Sequence, residues 1–212
     1  MSLNPERGFV GFIKVQWQLF NLAVMFFTRI PVSKNIPYST LKMNQANRYF
    51  SLVGLIIGSL VSVIYYLSMQ LFSIDITIVL IMIISVLLTG AFHEDGLADM
   101  ADGIGGGYTP EKRLTIMKDS RIGTYGSVAL LLTLLLKFYL LVELAHQGVL
   151  ILSVIFAYGL SRAVAASLIF NTDYVADVDT SKSKPLVAAQ SKTELLVLFA
   201  FALIPCLFFG FF

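Results

Sequence analysis

Residues 93–126, HEDGLADMADGIGGGYTPEKRLTIMKDSRIGTYG, interrupt an otherwise oily chain with His93, Glu94, Asp95, Asp99, Asp102 and Asp119, a run of glycines and four basic side chains. Six of the 13 acidic residues fall between Glu94 and Asp119, while the flanking apolar segments carry almost no charge. On a helix, Asp95, Asp99 and Asp102 stand at i, i+4 and i+7, within about 40° of one line. Three carboxylates facing one way repel one another and take up protons unless a cation neutralises them. Magnesium suits this set, because it takes oxygen ligands and completes its octahedron with water and substrate phosphates. A solvated helix end would mix signs of charge, but no Lys or Arg occurs from Ile81 through Pro110.

Gly103, Gly105, Gly106 and Gly107 follow directly. They give a backbone able to turn sharply and bring N–H groups, those of Gly105 and Gly106 among them, close to an anion. A glycine hinge between helices explains them equally well by itself; the carboxylates before and the basic segment after favour a phosphate site. Thr109-Pro110-Glu111 reads as a helix entry, with Thr109 as N-cap and Pro110 at the first helical position. The helix expected next, EKRLTIMKDSR, has Leu114 and Met117 on an apolar face and lies along the membrane surface. Lys112 and Arg113 suit anionic lipid head groups. Lys118 and Arg121, beside Asp119 and a second glycine-rich break, suit phosphate.

The elements that hold this stretch are membrane helices. The chain is 57% hydrophobic and 13% charged, against about 45–50% and about 25% for soluble domains. Windows long enough to cross a bilayer recur at Tyr49–Phe72, Ile76–Phe92, Gly126–Ala145, Val149–Phe170 and Glu194–Phe212, and alternation of the strand type is absent. The expected fold is all-α: a polytopic bundle of about five spans forming one membrane domain, residues 1–212. Leu19–Phe27, stopped by Pro31, reads as short and interfacial or re-entrant. Ile76–Phe92 carries His93 to the cytoplasmic edge, and the Asp95, Asp99 and Asp102 stripe forms where this helix continues past Phe92. Gly54, Gly58 and Ser62 put small residues on one helix face for close packing. Net charge of +2 gives no reason to expect nucleic-acid binding, and the single Cys206 excludes an internal disulfide.

Lys and Arg placement orients the bundle. Arg29, Lys34, Lys42 and Arg48, then Lys112, Arg113, Lys118 and Arg121, then Lys182, Lys184 and Lys192 all fall on one side, which makes the 93–126 segment and the 171–193 loop cytoplasmic. That loop adds Asp173, Asp177 and Asp179 and could cap the site. Lys137 and Arg162 are cations inside spans, where charge is by default functional or paired; Glu143 or an acidic group on a neighbouring helix is a natural partner for Lys137, and Arg162 stands close enough to the cytoplasmic end to reach a bound phosphate.

HEDGLADMADGIGGG followed by KDSRIGTYG closely resembles the cobalamin synthase family, and the resemblance extends to FFTRIPV at 26–32, GLSRAVAAS at 159–167 and, more loosely, SKSKPL at 181–186. It implies a magnesium-dependent membrane transferase of the bacterial inner membrane. Such an enzyme joins α-ribazole, or its 5′-phosphate, to adenosylcobinamide-GDP and releases GMP, late in coenzyme B12 synthesis. Carried over position by position, the acidic motif falls on His93, Glu94, Asp95, Asp99 and Asp102, and the second motif on Lys118, Asp119, Ser120 and Arg121. Family members generally run on to a further TGD-type segment and a last hydrophobic helix, whereas this chain stops at Phe-Phe-Gly-Phe-Phe inside a span, as a truncated or shortened member would.

Residue chemistry and resemblance meet at one reaction type: an alcohol attacks a pyrophosphate-linked phosphorus and a nucleoside monophosphate leaves. Asp95, Asp99 and Asp102 are the expected magnesium ligands, Lys118, Arg121 and Arg162 the expected partners of the non-bridging oxygens, and Asp119, Glu94 or His93 the base. His93 has the best unperturbed pKa for that task. Partners are the two small-molecule substrates and membrane lipid, with the number of subunits, homo-oligomer or not, left open. A CDP-alcohol phosphotransferase would place an AR dipeptide where Ala98-Asp99 stands, and a cation transporter would place its carboxylates near the bilayer midplane.

Overall fold

The computed structural model describes residues 8–33, 35–171 and 190–208. Among them every regular element is helical: α1 (Phe9–Phe27), α2 (Thr40–Ala46), a 3-10 turn (Asn47–Tyr49), α3 (Phe50–Ser68), α4 (Ile74–Thr89), α5 (Phe92–Gly106), α6 (Pro110–Met117), α7 (Thr124–His146), α8 (Leu150–Asn171), α9 (Lys192–Leu203) and a second 3-10 turn (Ile204–Leu207). The protein is an all-α integral membrane protein. Phe9–Phe27, Thr40–Ser68, Thr124–His146 and Leu150–Phe170 are long and apolar enough to cross a bilayer, and the bent pair of α4 and α5 makes a fifth if counted as one span. Along α7 the apolar window is not buried by protein at all, and Leu131, Leu132, Leu136 and Leu140 are all exposed. An apolar helix without a polar face belongs in hydrocarbon.

Three expectations about the spans change. The first helix starts at Phe9 rather than Leu19 and has 19 residues, enough to cross. It ends where Thr28 donates its hydroxyl to the Val24 carbonyl and accepts the Ile30 N–H, just before Pro31. The helix of Ile76–Phe92 does not continue into His93. Gly90 adopts the left-handed conformation (φ 65°), with Gly90 N–H to Leu87 O and Ala91 N–H to Val86 O closing a Schellman end. Ala91 is also left-handed (φ 58°), and α5 leaves at 86° to α4. The last span is shorter than Glu194–Phe212 among the described residues: α9 has 12 residues and passes into the 3-10 turn that contains Pro205.

Packing divides the chain into two compact units, one of Met1–Ser59 with Val154–Phe212 and one of Leu60–Ser153. In the first, Leu19, Leu22, Met43, Phe50, Ile57, Ala163 and Leu198 are fully or almost fully buried, and Phe50 stacks on Phe26 and meets Phe27 edge-on. Small residues do set the helix contact there. A Cβ at Gly54 would overlap the Tyr158 carbonyl, and one at Gly58 would lie 2.9 Å from the Ile155 Cα. Glu194 closes a capping box with Ser191 at the start of α9 and also pairs with Arg48.

In the second unit α5 packs on both α6 and α7, and α4 packs on α7. Met82, Val86, Leu131 and Phe138 line an entirely apolar groove between α4 and α7. Ser62 donates to the Ile151 carbonyl at 3.4 Å.

Candidate active site

The acidic stretch forms the 15-residue helix α5, so Asp95 and Asp99 stand one turn apart on the same face. The abrupt end of α4 lets α5 start afresh at Phe92 and carry Glu94 and Asp95 in its first turn, where the helix dipole favours anions. Asp95 and His93 are exposed and Asp99 is half-buried. Glu94 is half-buried too, and its Oε2 is enclosed without a hydrogen-bond partner among the described residues.

Asp102 is differently employed. Only 8% exposed, it accepts the Gly123 N–H on Oδ2 at 2.7 Å and the Gly126 N–H on Oδ1 at 2.8 Å. Those are the N-cap and N3 positions of α7, so the carboxylate caps that helix from another element. Both glycines are required by the approach. A methyl group on either would collide with the Asp102 carboxylate, and at Gly126 it would also press on the Ala98 carbonyl. Asp102 was expected beside Asp95 and Asp99 as a metal ligand; among the described residues no group of three His, Cys, Asp or Glu side chains converges on a metal-sized site.

The glycine run is not a flexible turn. Gly103, Gly105 and Gly106 are the last turn of α5 and Gly107 is its C-cap. Their missing side chains admit neighbours: Met117 fills the space over Gly103, the Tyr125 ring covers Gly105, and Arg113 packs on Gly107 while its Nε donates to the Gly107 carbonyl at 2.8 Å. Arg113, though exposed, thus caps α5, and Met117 turns the apolar side of α6 toward α5.

Helix α6 begins as expected, with Thr109 Oγ1 accepting the Lys112 N–H and Pro110 in the first turn. It stops at Met117, so Lys118, Asp119, Ser120 and Arg121 form an exposed loop instead of a last helical turn. Arg121 grips Asp119 with Nε (3.1 Å to Oδ1) and Nη2 (2.7 Å to Oδ2), and its backbone N–H adds a third bond. That side-chain fork, then the N–H, hold the Asp119 carboxyl below the ordinary carboxylate range, and the same pairing pushes the Arg121 guanidinium up. A carboxylate so stabilised is a poor proton acceptor.

Arg162 belongs to the other unit. It is 4% exposed, donates from Nη1 to the Tyr158 carbonyl at 3.0 Å and lies over the Phe27 and Tyr158 rings at 5.7 and 5.4 Å. It does not snorkel to the lipid interface. Glu143 accepts the Gln147 amide N–H at 2.8 Å. Asp173, Asp177, Asp179, Lys182 and Lys184 lie outside the described residues. The sequence alone does not announce Arg113 as a cap or the pairing of Asp102 with Gly123 and Gly126; the available signal is the Gly123-x-x-Gly126 spacing, which by itself reads only as a glycine-rich break.

Helical spans that meet hydrocarbon, a bent span end that presents carboxylates on one face, and a basic loop tied to the same helix by Asp102 define a polytopic membrane enzyme. The chain belongs to the Cobalamin-5-phosphate synthase family, which it matches over residues 19–212. It is 59% identical over 198 residues to adenosylcobinamide-GDP ribazoletransferase of Vibrio cholerae serotype O1, covering 93% of this chain and 76% of that protein. The protein of the same name from Vibrio vulnificus is 60% identical over 183 residues, 86% of this chain and 72% of that protein. The one from Shewanella pealeana is 53% identical over 197 residues, with 92% and 76% covered. No solved structure matches the chain.

Proposed function

We propose that this chain is a transferase that joins α-ribazole, or its 5′-phosphate, to adenosylcobinamide-GDP with release of GMP. The observation that carries this reading is the extent of the likeness: the family match runs through α5, the 118–123 loop and α8, and relatives at 59% identity bear that enzyme's name. In the reaction a ribazole hydroxyl oxygen forms a new P–O bond. The P–O bond to GMP breaks, its electron pair leaves with GMP, and the hydroxyl proton passes to a base.

Asp95 and Asp99 are the residues of α5 suited to hold a magnesium ion, with Glu94 adjoining. Two carboxylates and substrate phosphates are an ordinary magnesium set, and the orphaned Glu94 Oε2 is an enclosed oxygen that a cation or its water would satisfy. When bound, the ion supplies charge neutralisation for the pyrophosphate oxygens. Asp102 acts at one remove, fixing the start of α7 and with it the basic loop. Lys118 and Arg121 contact the non-bridging oxygens from that loop, with Asp119 orienting the Arg121 fork and Ser120 beside it. His93 takes the proton, since Asp119 is committed to Arg121. Gly105 and Gly106 serve this site by letting Tyr125 and α6 close on α5.

The enzyme sits in the bacterial inner membrane with α5 and the 118–123 loop on the cytoplasmic side, a placement supported by the one-sided Lys and Arg distribution. The test is release of GMP from adenosylcobinamide-GDP by purified protein, with and without α-ribazole, in magnesium and in excess chelator. GMP release that depends on both additions supports the reading, and its absence in the complete mixture refutes it.

A further inference from the structure

We infer that α5 lies in the bilayer interface with the ridge of Leu97, Met100 and Ile104 seated among phospholipid acyl chains, so that Asp95 and Asp99 face water at head-group level. The inference goes beyond the proposed reaction and does not depend on it. The length of α4 carries it. This helix has 16 residues, about 24 Å at the usual rise, against a hydrocarbon core of about 30 Å. Its first turn holds the exposed Asp75, a charge that keeps that end at water. The other end, at Gly90, therefore stops about 6 Å short of the opposite boundary, and any tilt of α4 adds to the deficit. Helix α7, which packs on α4, has 23 residues and no such deficit. Helix α5 leaves α4 at 86° and so runs along the membrane plane at that depth, where its lower side meets acyl chains.

Side-chain placement on α5 suits that position. Leu97, Met100 and Ile104 stand at i, i+3 and i+7, a line about 60° wide. Met100 and Ile104 are exposed although apolar, Ile104 by 61%. Asp95 and Asp99 stand about 130–170° around the axis from the middle of that line. The two flanks between are occupied by protein: Met117 of α6 closes on Gly103, while Tyr125 and Gly126 of α7 close on Gly105 and Ala98. One apolar side and one acidic side are then left for lipid and for water, the division an interfacial helix requires. His93, one turn before Leu97 on the same side, joins an apolar ring body to a polar tip. The ridge also continues a surface that hydrocarbon already covers. Ile83 and Leu87 of α4 are exposed up to the bend, and the exposed Phe92 follows it. At the far end of α5 stand Tyr125 and Tyr108, the latter 96% exposed, a residue type that gathers at head-group level.

The test uses the full chain with Cys206→Ser, carrying one spin-labelled cysteine at a time and reconstituted in vesicles of phosphatidylethanolamine and phosphatidylglycerol. Oxygen, which concentrates in hydrocarbon, and a water-soluble nickel chelate compete to relax each label. Ser120→Cys, in the exposed loop, sets the water value, and Leu132→Cys, exposed on α7, sets the hydrocarbon value. Labels at Met100→Cys and Ile104→Cys should show an oxygen-to-nickel collision ratio about threefold or more above that at Asp95→Cys, as expected of a ridge sunk about 5–10 Å into the boundary. Ridge labels that match Ser120→Cys overturn the inference, because water then covers the ridge. Ridge labels shielded from both reagents overturn it too, since a second copy or another protein would be the cover. A hydrocarbon-like ratio at Asp95→Cys as well overturns it by immersing the whole helix. Both ridge residues are exposed, so either variant decides if the other fails to assemble. The readout involves neither GMP release nor magnesium, so it stands or falls apart from the proposed reaction.

Discussion

Asp102 accepts the backbone N–H of Gly126 at 2.8 Å across 24 positions of chain, and its other oxygen accepts that of Gly123. A buried carboxylate thereby caps a helix that its own element does not contain. Both oxygens are occupied by charge-assisted bonds, the strong class, and the helix dipole of α7 adds to them. This couples the helix bearing Asp95 and Asp99 to the loop bearing Lys118 and Arg121.

Asp102→Asn should therefore lower stability by about 1.5–3 kcal/mol, the range for hydrogen bonds to a charged group. The magnesium concentration giving half-maximal activity should stay where it is. Asp99→Asn should do the reverse: unchanged unfolding, with activity down about a hundredfold or a displaced magnesium midpoint. Denaturant unfolding and magnesium titration of both variants separate the roles, and a shifted midpoint in Asp102→Asn would return that residue to the metal.

Ala91 holds φ at 58° directly after the left-handed Gly90, a conformation that costs an L-residue about 1–2 kcal/mol. Ala91→Gly removes that strain and gives back part of the gain as unfolded-state entropy. The expected net is about 0.5–1 kcal/mol of added stability, read as a higher melting temperature. A lower one would show that the 86° bend is held by the alanine methyl group.

Composition made the all-α membrane fold legible, because hydrocarbon leaves a spanning chain few options. Gly54 and Gly58 announced close packing by spacing alone, and Thr109-Pro110 announced the start of α6. Less legible were events decided by neighbours. Nothing local to TGAFHED says whether Gly90 bends or ends a helix. The glycines after Asp102 suit a loop by propensity, yet they are helical because Tyr125, Met117 and Arg113 fill the space that side chains would occupy. The Asp102 pairing depends on two residues more than 20 positions away, which no periodicity reports.

Arg48 and Glu194 form a mostly buried pair, and Glu194 also accepts the Ser191 N–H at 3.0 Å. Removing one partner leaves an uncompensated charge, so Arg48→Met or Glu194→Gln should each cost about 3–5 kcal/mol. The double variant should cost much less than the sum. A double-mutant cycle on unfolding checks this, and additive losses would mean that the pair contributes nothing beyond its separate contacts.

Asp119 and His93 make opposite predictions about pH. The Arg121 fork lowers the Asp119 pKa, so the small stabilisation it gives is present above the unfolded value near about 4 and is lost as pH falls through the lower folded value. Between pH 5 and 9 Asp119 stays ionised and contributes no limb to an activity profile. If His93 is the base, kcat/KM falls below its pKa, and His93→Gln flattens that limb while Asp119→Asn leaves its position unchanged and raises KM. An acid limb that survives in His93→Gln assigns the proton transfer elsewhere.

The one-sided basic residues define a topology that can be labelled. Two candidate spans, Thr40–Ser68 and the bent pair of α4 and α5, separate Arg29 from Lys118 and Arg121, and two crossings return the chain to the side on which it started. Cys206 is exposed and must first be changed to serine. A cysteine then placed at Ser120, in the loop before α7, should resist an impermeant maleimide applied to intact cells and react in inverted vesicles. A cysteine at Gln147, between α7 and α8, should do the opposite, because α7 has 23 residues and ample apolar length to cross. Labelling of Ser120→Cys from outside would reverse the orientation and place the carboxylates of α5 away from the cytoplasm; labelling of both positions from one side would show that α7 does not span.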